Sequence, residues 1–225
     1  MNISPKYNRT LHLPWSEGAT NDDKIASSVD YLLNIPIVIT EKMDGSNVSL
    51  EYDGCFARTH SGPPTHPSFD GLKALHASIK HKIPKYFQLF GEWCYARHSI
   101  EYSELPAYFM MFGIRKLDAS FGENNYWISW KNVESFAEEL GITTVPVLFK
   151  GEVSSATKLQ NIVESLMKEP SACGGLREGV VVRAAKQFND NEFSSHVLKC
   201  VRKDHVNTSI HWSHNKIIQN KLKLK

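Results

Sequence analysis

Lys42 stands between two carboxylates and ahead of a glycine, in Glu41-Lys42-Met43-Asp44-Gly45, directly after the apolar run Ile35-Pro36-Ile37-Val38-Ile39. The run predicts a buried strand over 35–40, and a lysine at its mouth is a poor choice for stability. It suits a nucleophilic amine: nearby charges tune the amine, and a glycine lets backbone approach a phosphate. Alone, the pattern Lys-x-Asp-Gly is short enough to arise by chance. Further polar patches follow at predicted strand ends: Arg58 in Phe56-Ala57-Arg58, Glu92 in Phe90-Gly91-Glu92-Trp93, Glu178 ahead of Gly179-Val180-Val181, and Lys199 in Leu198-Lys199-Cys200-Val201-Arg202. Between them lies an aromatic strand ending in Phe112. Singly, each patch reads as a charge at a strand edge. Together, two lysines and an arginine can hold a triphosphate, and one carboxylate can bind ribose hydroxyls. A second carboxylate can bind the divalent cation that accompanies a nucleoside triphosphate, and a phenylalanine can stack on a base.

The elements that must position these groups are legible from periodicity. After the strand at 35–40, residues 47–52 and 55–59 read as a hairpin across Asp53-Gly54. Leu72, Leu75, Ile79 and Ile83 have helical spacing, stopped by Pro84. Strands are predicted at 86–93, 108–115, 143–149, 179–184 and 196–202. Val133, Phe136, Ala137 and Leu140 define a second helix ended by Gly141, and Leu159, Ile162, Val163 and Leu166 a third, closed by Pro170. Residues 1–34 read as an irregular lead-in with Leu13-Pro14-Trp15-Ser16, a polar turn over 18–23 and a short helix to Leu33. Strands dominate without steady alternation, so the fold class is α+β with largely antiparallel sheets flanked by helices.

The chain has 225 residues, 41% of them apolar, enough for a sizeable core. No run approaches the roughly 18 apolar residues of a membrane helix, and the N-terminus lacks the apolar core of a signal peptide. A cytoplasmic protein is the expectation. Cys55, Cys94, Cys173 and Cys200 are isolated, so neither a disulfide framework nor a zinc site is implied. His205, His211 and His214 are close together but lack accompanying ligands. The net charge of +2 neither requires nor excludes nucleic acid. The basic tail ending in Lys225 reads as a solvated end, or as a phosphate contact.

In this order and spacing the patches resemble the motifs of the covalent nucleotidyltransferases, the superfamily of polynucleotide ligases and messenger RNA capping enzymes. Within it the chain most resembles the RNA ligase family, from about residue 5 to residue 212. Glu41-Lys42-Met43-Asp44-Gly45-Ser46 is similar to the nucleophile motif, and Arg58 to the basic residue following it. Phe90-Gly91-Glu92-Trp93-Cys94-Tyr95 is similar to the ribose motif, and Tyr108-Phe109-Met110-Met111-Phe112 to the adenine-stacking strand. Glu178-Gly179-Val180-Val181 is similar to the metal motif, and Leu198-Lys199 to the last phosphate-contacting strand. The lead-in over 7–16 and the ending over 201–212 are more loosely similar.

The resemblance implies a nucleotidyltransferase (ATP-grasp-like ligase adenylation) fold with the nucleotide between two sheets. It implies ATP and Mg²⁺ or Mn²⁺ as cofactors, Lys42 as nucleophile, Lys199 and Glu178 as catalytic groups, and Glu178 as metal ligand. The implied nucleotide contacts are Glu41, Asp44, Arg58, Glu92, Phe112, Lys199 and Arg202. The activity implied is sealing of 5′-phosphate and 3′-hydroxyl RNA ends through a lysine–AMP and an AMP-capped strand. RNA ends, nicked or single-stranded, are then the partners, alongside an end-healing kinase or phosphatase. A minimal ATP-dependent DNA ligase and an adenylate-binding sensor are the rival functions. The short stretch after Arg202 carries the expectation of one adenylation domain over 1–225 with no C-terminal oligonucleotide-binding barrel. Two positions depart from the family pattern. Gly113 stands where an Asp usually follows the aromatic strand, and Val201 where a second lysine is common, with Arg202 or Lys203 as candidate substitutes. Asp44 is shared with DNA ligases and capping enzymes, whereas many RNA ligases have His there.

Overall fold

Alternation along the lysine strand sets the architecture. β2 (Pro36–Lys42) sends Ile37, Ile39 and Glu41 to one face and Val38, Thr40 and Lys42 to the other. In the computed structural model, which describes residues 4–20, 22–58, 62–118, 124–203 and 217–224, β2 lies inside a first sheet. Its neighbours are β10 (Gly179–Ala184) and β9 (Val147–Glu152), both antiparallel to it. β12 (Val197–Val201) pairs antiparallel with β10, and the short β1 (Leu11–His12) closes that edge parallel to β12. The order is β1-β12-β10-β2-β9.

A second sheet carries β11 (Phe188–Asn189), β7 (Tyr126–Trp127), β6 (Phe109–Lys116), β5 (Phe87–Trp93), β3 (Ser46–Leu50) and β4 (Cys55–Ala57), in that order. β8 (Thr143–Thr144) pairs parallel with β6. Helices α1 (Asp70–Ile79) and α2 (Trp130–Leu140) bury Leu72, Ile79, Trp130, Val133, Ala137 and Leu140 with Leu89, Met111 and Ile114 of this sheet. α3 (Ala156–Lys168) buries Leu159 and Val163 with Ile37, Ile39, Val180 and Val182 of the first sheet. These are the three amphipathic stretches expected from spacing. Gly141 ends α2 in the left-handed region at φ 66°, where glycine carries no Cβ penalty.

The predicted strand over 143–149 is two strands in two sheets. Val145 N–H donates to Met111 O, and Glu41 N–H donates to Pro146 O. Pro146 has no N–H to continue a ladder, so the chain changes sheets there. The predicted short helix before Leu33 is a single 3₁₀ turn, Asp30–Leu32. Another such turn, Asp190–Glu192, leads into the four-residue α4 (Phe193–His196), and His196 therefore precedes β12 rather than starting it.

The lead-in is part of the core. Buried Arg115 donates to Pro5 O, Lys6 O and Asn8 Oδ1, and to Gln88 Oε1. This anchors Tyr7, whose ring meets Phe90, Phe112, Trp127 and Phe193 edge-on at 5.1–5.4 Å between centroids. Residues 217–224 hydrogen-bond through their backbone to Tyr95, Arg97, Tyr102 and Leu105, while their side chains, Asn220 apart, remain largely exposed. Asn220, 2% exposed, accepts the Tyr102 N–H and donates to Cys94 O. Lys216, Lys225, the histidines at 205, 211 and 214, and the ending over 204–212 lie outside the described residues.

Candidate active site

Antiparallel pairing of β10 on β2 sets Gly179 opposite Lys42, so Glu178 arrives beside the lysine. Lys42 Nζ donates to Glu178 Oε1 at 2.6 Å, with the lysine side chain 26% exposed and the glutamate 5%. Gly179 is required here: a Cβ would lie 2.3 Å from Cys200 O. Two residues further along the same face, Thr40, Val181, Lys199 and His12 form one row across four strands. The two sequence-distant lysines therefore share the face of the sheet that looks onto Glu92 and Phe112 in the second sheet.

Burial alone pulls the Lys42 amine down, but the charges of Glu178 and Glu92, the hydrogen bond to Glu178 and the charge of Asp44 outweigh it. The free protein thus holds Lys42 as an ammonium, above its ordinary range. Lys199 goes the other way. Burial lowers it, Lys42 adds like-charge repulsion, and Asp23 and Glu178 oppose. Its Nζ is 3.4 Å from Asp23 Oδ1.

Glu92 sits across from Asn47 on β3 and Met110 on β6. Burial pushes its carboxyl up to about 8; Lys42 pulls it back, while Glu178 and Asp44 push it further up. At neutral pH it is largely protonated and can both donate to and accept from a ribose hydroxyl. Folded Glu92 keeps its proton between its ordinary 4.5 and about 8, whereas the unfolded chain releases it. Stability therefore falls as pH rises through that window. The melting temperature of the nucleotide-free protein should drop between pH 5 and 8.5 relative to Glu92→Gln. Parallel curves for the two would show an ionised Glu92.

The remaining predicted residues divide. Glu41 points to the α3 face, 1% exposed, where Oε2 accepts the Ala172 N–H at 2.9 Å and lies 3.6 Å from Arg177 Nε. Its Oε1 is buried with no hydrogen-bond partner among the described residues. Its strand position directs it away from the Lys42 amine, and Asp44 is a minor influence there. Asp44 Oδ2 accepts the N–H groups of Ser99 and Ile100, both at 2.7 Å, and its own N–H donates to Tyr102 Oη. Asp44 thus fastens the turn after the lysine to the 98–102 loop, and Tyr102 is a buried structural partner. Arg58 is exposed, just past β4. Arg202 is half-buried and its N–H donates to Glu178 O at 3.0 Å, which fixes the backbone at Glu178.

Phe112 occupies a bulge. β5 pairs Phe90 with Gly113 and then Gly91 with Met111, leaving Phe112 without a partner. A bulge re-aims its side chain, and the Phe112 ring lies 5.2 Å from that of Tyr7. Buried Arg183 crosses from the first sheet and donates to Phe112 O at 3.0 Å and Ile128 O at 3.1 Å. Burial lowers this guanidinium to about 10. Sequence reasoning assigned no role to Tyr7, Arg183 or Asp23. The loose family similarity over 7–16 was the one signal for Tyr7; a lone arginine ending a valine run gave none.

The donor set fits a divalent cation of the magnesium class. Glu178 stands in the cleft beside Lys42, and Mg²⁺ is typically held by one or two carboxylates plus substrate phosphates. Among the described residues no group of three or more His, Cys, Asp or Glu gathers as a self-sufficient metal cage.

A family model for RNA ligases matches residues 35–201, and the chain belongs to the RNA ligase family. No curated protein sequence matches it. Among solved structures, a variant of Naegleria gruberi RNA ligase with ATP and Mn aligns at 15% identity and TM-score 0.55, over 91% of this chain and 57% of that one. A second variant with ATP and Mn aligns at 14% and TM-score 0.57, over 91% and 57%. The same ligase with PPi aligns at 15% and TM-score 0.52, over 88% and 61%. These likenesses establish the fold, the nucleotidyltransferase type that the motifs implied. The chain spans 57% of the length of the first of these structures. Among the described residues no helix is long and apolar enough to cross a membrane.

Proposed function

We propose that this protein is an ATP-dependent RNA ligase working through a lysine–AMP on Lys42. The observation that carries the reading is the Lys42–Glu178 contact at 2.6 Å, with Lys199 on the same sheet face. In the first step Lys42 Nζ, freed of its proton, attacks the α-phosphorus of ATP. The N–P bond forms, the P–O bond to the β-phosphate breaks, and pyrophosphate leaves. The ammonium proton departs to solvent through the cleft, since Lys42 remains partly exposed. Glu178 would hold the divalent cation that accompanies ATP, and that cation would supply positive charge at the triphosphate. Engaged in this way, Glu178 would hold the ammonium less strongly. Lys199 faces the developing negative charge on phosphate, and neutral Glu92 meets the ribose.

AMP then passes to the 5′-phosphate of an RNA strand, and a 3′-hydroxyl displaces it to close the phosphodiester. This chemistry demands those two end types, so ends of other kinds need a kinase or phosphatase first. Four free, buried cysteines suit a reducing, cytoplasmic setting.

The test is a sealing assay with ATP and Mg²⁺ on nicked duplexes with RNA or DNA at the 3′-hydroxyl side, and on single-stranded 5′-phosphorylated RNA. Sealing that requires RNA at the 3′ side is the expected result. Equal sealing of all-DNA nicks would make this a DNA ligase, and a lysine–AMP without any sealing would make it an adenylate carrier. Phe112→Ala should raise the KM for ATP in adduct formation roughly tenfold, from the ~1–3 kcal/mol of a base stack. Because the ring also packs in the core, its melting temperature should fall too. A fall in melting temperature with KM unchanged would leave Phe112 a packing residue only.

A further inference from the structure

Lys199 has a built partner set that lies N-terminal to the stretch covered by the family model. Asp23 Oδ1 is 3.4 Å from Lys199 Nζ and 3.2 Å from His12 Nε2. Its other oxygen, Oδ2, accepts from Thr20 N–H at 3.1 Å and Thr20 Oγ1 at 3.0 Å. Both carboxylate oxygens are thus engaged, and Asp23 cannot follow Lys199 if that side chain swings. His12 is 1% exposed and is the direct cross-strand partner of Lys199. Its Nδ1 lies 2.8 Å from Ser16 Oγ, which accepts the Val201 N–H at 3.0 Å. The imidazole is thereby fixed to β12, the strand that carries Lys199. The backbone follows suit: His12 N–H donates to Lys24 O, Ala26 N–H to His12 O, and Gly18 N–H to Val201 O. Gly18 permits that approach, since a Cβ there would lie 2.4 Å from Arg202 O.

A cleft holding two lysine ammoniums on one sheet face needs two counter-charges. Glu178 pairs with Lys42, and Asp23 is the counterpart for Lys199. We propose that Asp23 is a positioning residue for Lys199, held by Thr20 and set against His12, and that His12, Thr20 and Asp23 complete the phosphate-binding half of the site. An exposed pair of this length would add little to stability. This one, tied to Thr20 and set 3.2 Å from a buried ring, fixes where the Lys199 charge stands when a triphosphate arrives.

The proposal rests on the reading of Lys199 as a phosphate-contacting group, and two measurements separate the claims. The first follows lysine–AMP formation in single turnover against ATP concentration, with melting temperatures, for wild type, Asp23→Ala, Lys199→Ala and the double variant. Asp23→Ala should slow the step at saturating ATP about tenfold or more, the scale of a misplaced catalytic group. The double variant should match Lys199→Ala within about twofold, because Asp23 acts only through Lys199. Asp23→Asn, which keeps an oxygen for Thr20, should fall between. A wild-type rate in Asp23→Ala, whatever its melting temperature, overturns the proposal. So does a double variant slower than Lys199→Ala by the full factor of Asp23→Ala. The second measurement needs no ATP chemistry: acylation of Lys199 by an amine-reactive reagent, read by peptide mass spectrometry. It should speed up severalfold in Asp23→Ala, and an unchanged rate would show that the contact does not hold the lysine. Failure of wild type to form the adduct, with accelerated labelling of Lys199, would remove the ligase reading and leave the Asp23 contact standing.

Discussion

Lys42→Ala is expected to abolish transfer of label from α-labelled ATP to the protein, and Lys42→Arg to do the same. Arginine keeps the charge but cannot lose its proton at any working pH, so a charge-only role would survive the second substitution and a nucleophilic one would not. The prediction is sharper than it looks because the free protein contains a competitor. Lys199 has its amine lowered by burial while Lys42 is raised by Glu178. On basicity alone Lys199 is the readier nucleophile. Geometry decides against it. Lys199 lies in the row of Thr40 and Val181, two residues back from the strand end where Lys42 meets Glu178, and Asp23 holds its Nζ. Label in Lys42→Ala, mapped to Lys199 by peptide mass, would overturn the nucleophile assignment. Absence of label in both variants, with unchanged melting temperatures, is the expected outcome.

Groups that act at strand ends were legible because sequence neighbours announce them. Lys42 follows an apolar run and Glu178 precedes one, and strand pairing brought the two within 2.6 Å. The three amphipathic helices were legible for the same local reason. Contacts made across the fold were not. A sheet switch at Pro146, a bulge at Phe112 and the docking of Asn220 depend on partners at great sequence distance. Asp44 illustrates the limit. Its position in the nucleophile motif suggested a nucleotide contact, but two backbone amides of a distant loop occupy one of its oxygens. Asp23 is the converse case: a polar turn in an irregular lead-in carries no periodic signal, and the pairing of β1 with β12 together with the bridge of His12 to Ile25 brings it to Lys199.

Glu178→Ala should slow lysine–AMP formation by about a hundredfold or more, and in the same protein make Lys42 chemically more reactive. The two effects pull in opposite directions on the amine and on the reaction. Removing the carboxylate deletes the leading charge that holds Lys42 protonated, so a larger fraction of the amine is neutral. Each unit by which its pKa falls is worth at most about tenfold in rate at neutral pH. Loss of a metal ligand costs transition-state charge stabilisation of several kcal/mol, or two orders of magnitude and more. The second effect wins. Acylation of Lys42 in the nucleotide-free protein should therefore rise in Glu178→Ala while adenylylation collapses, and raised Mg²⁺ or Mn²⁺ should restore only part of the rate. Lys42 keeps some contact with solvent, so its unpaired ammonium stays hydrated and the melting temperature should move little. Wild-type adenylylation across a Mg²⁺ titration would remove Glu178 from metal binding and leave it as the counter-charge of Lys42 alone. Collapse of both labelling and adenylylation would instead mean that the carboxylate orients the amine, since a lysine merely released from its partner reacts faster with a small acylating reagent.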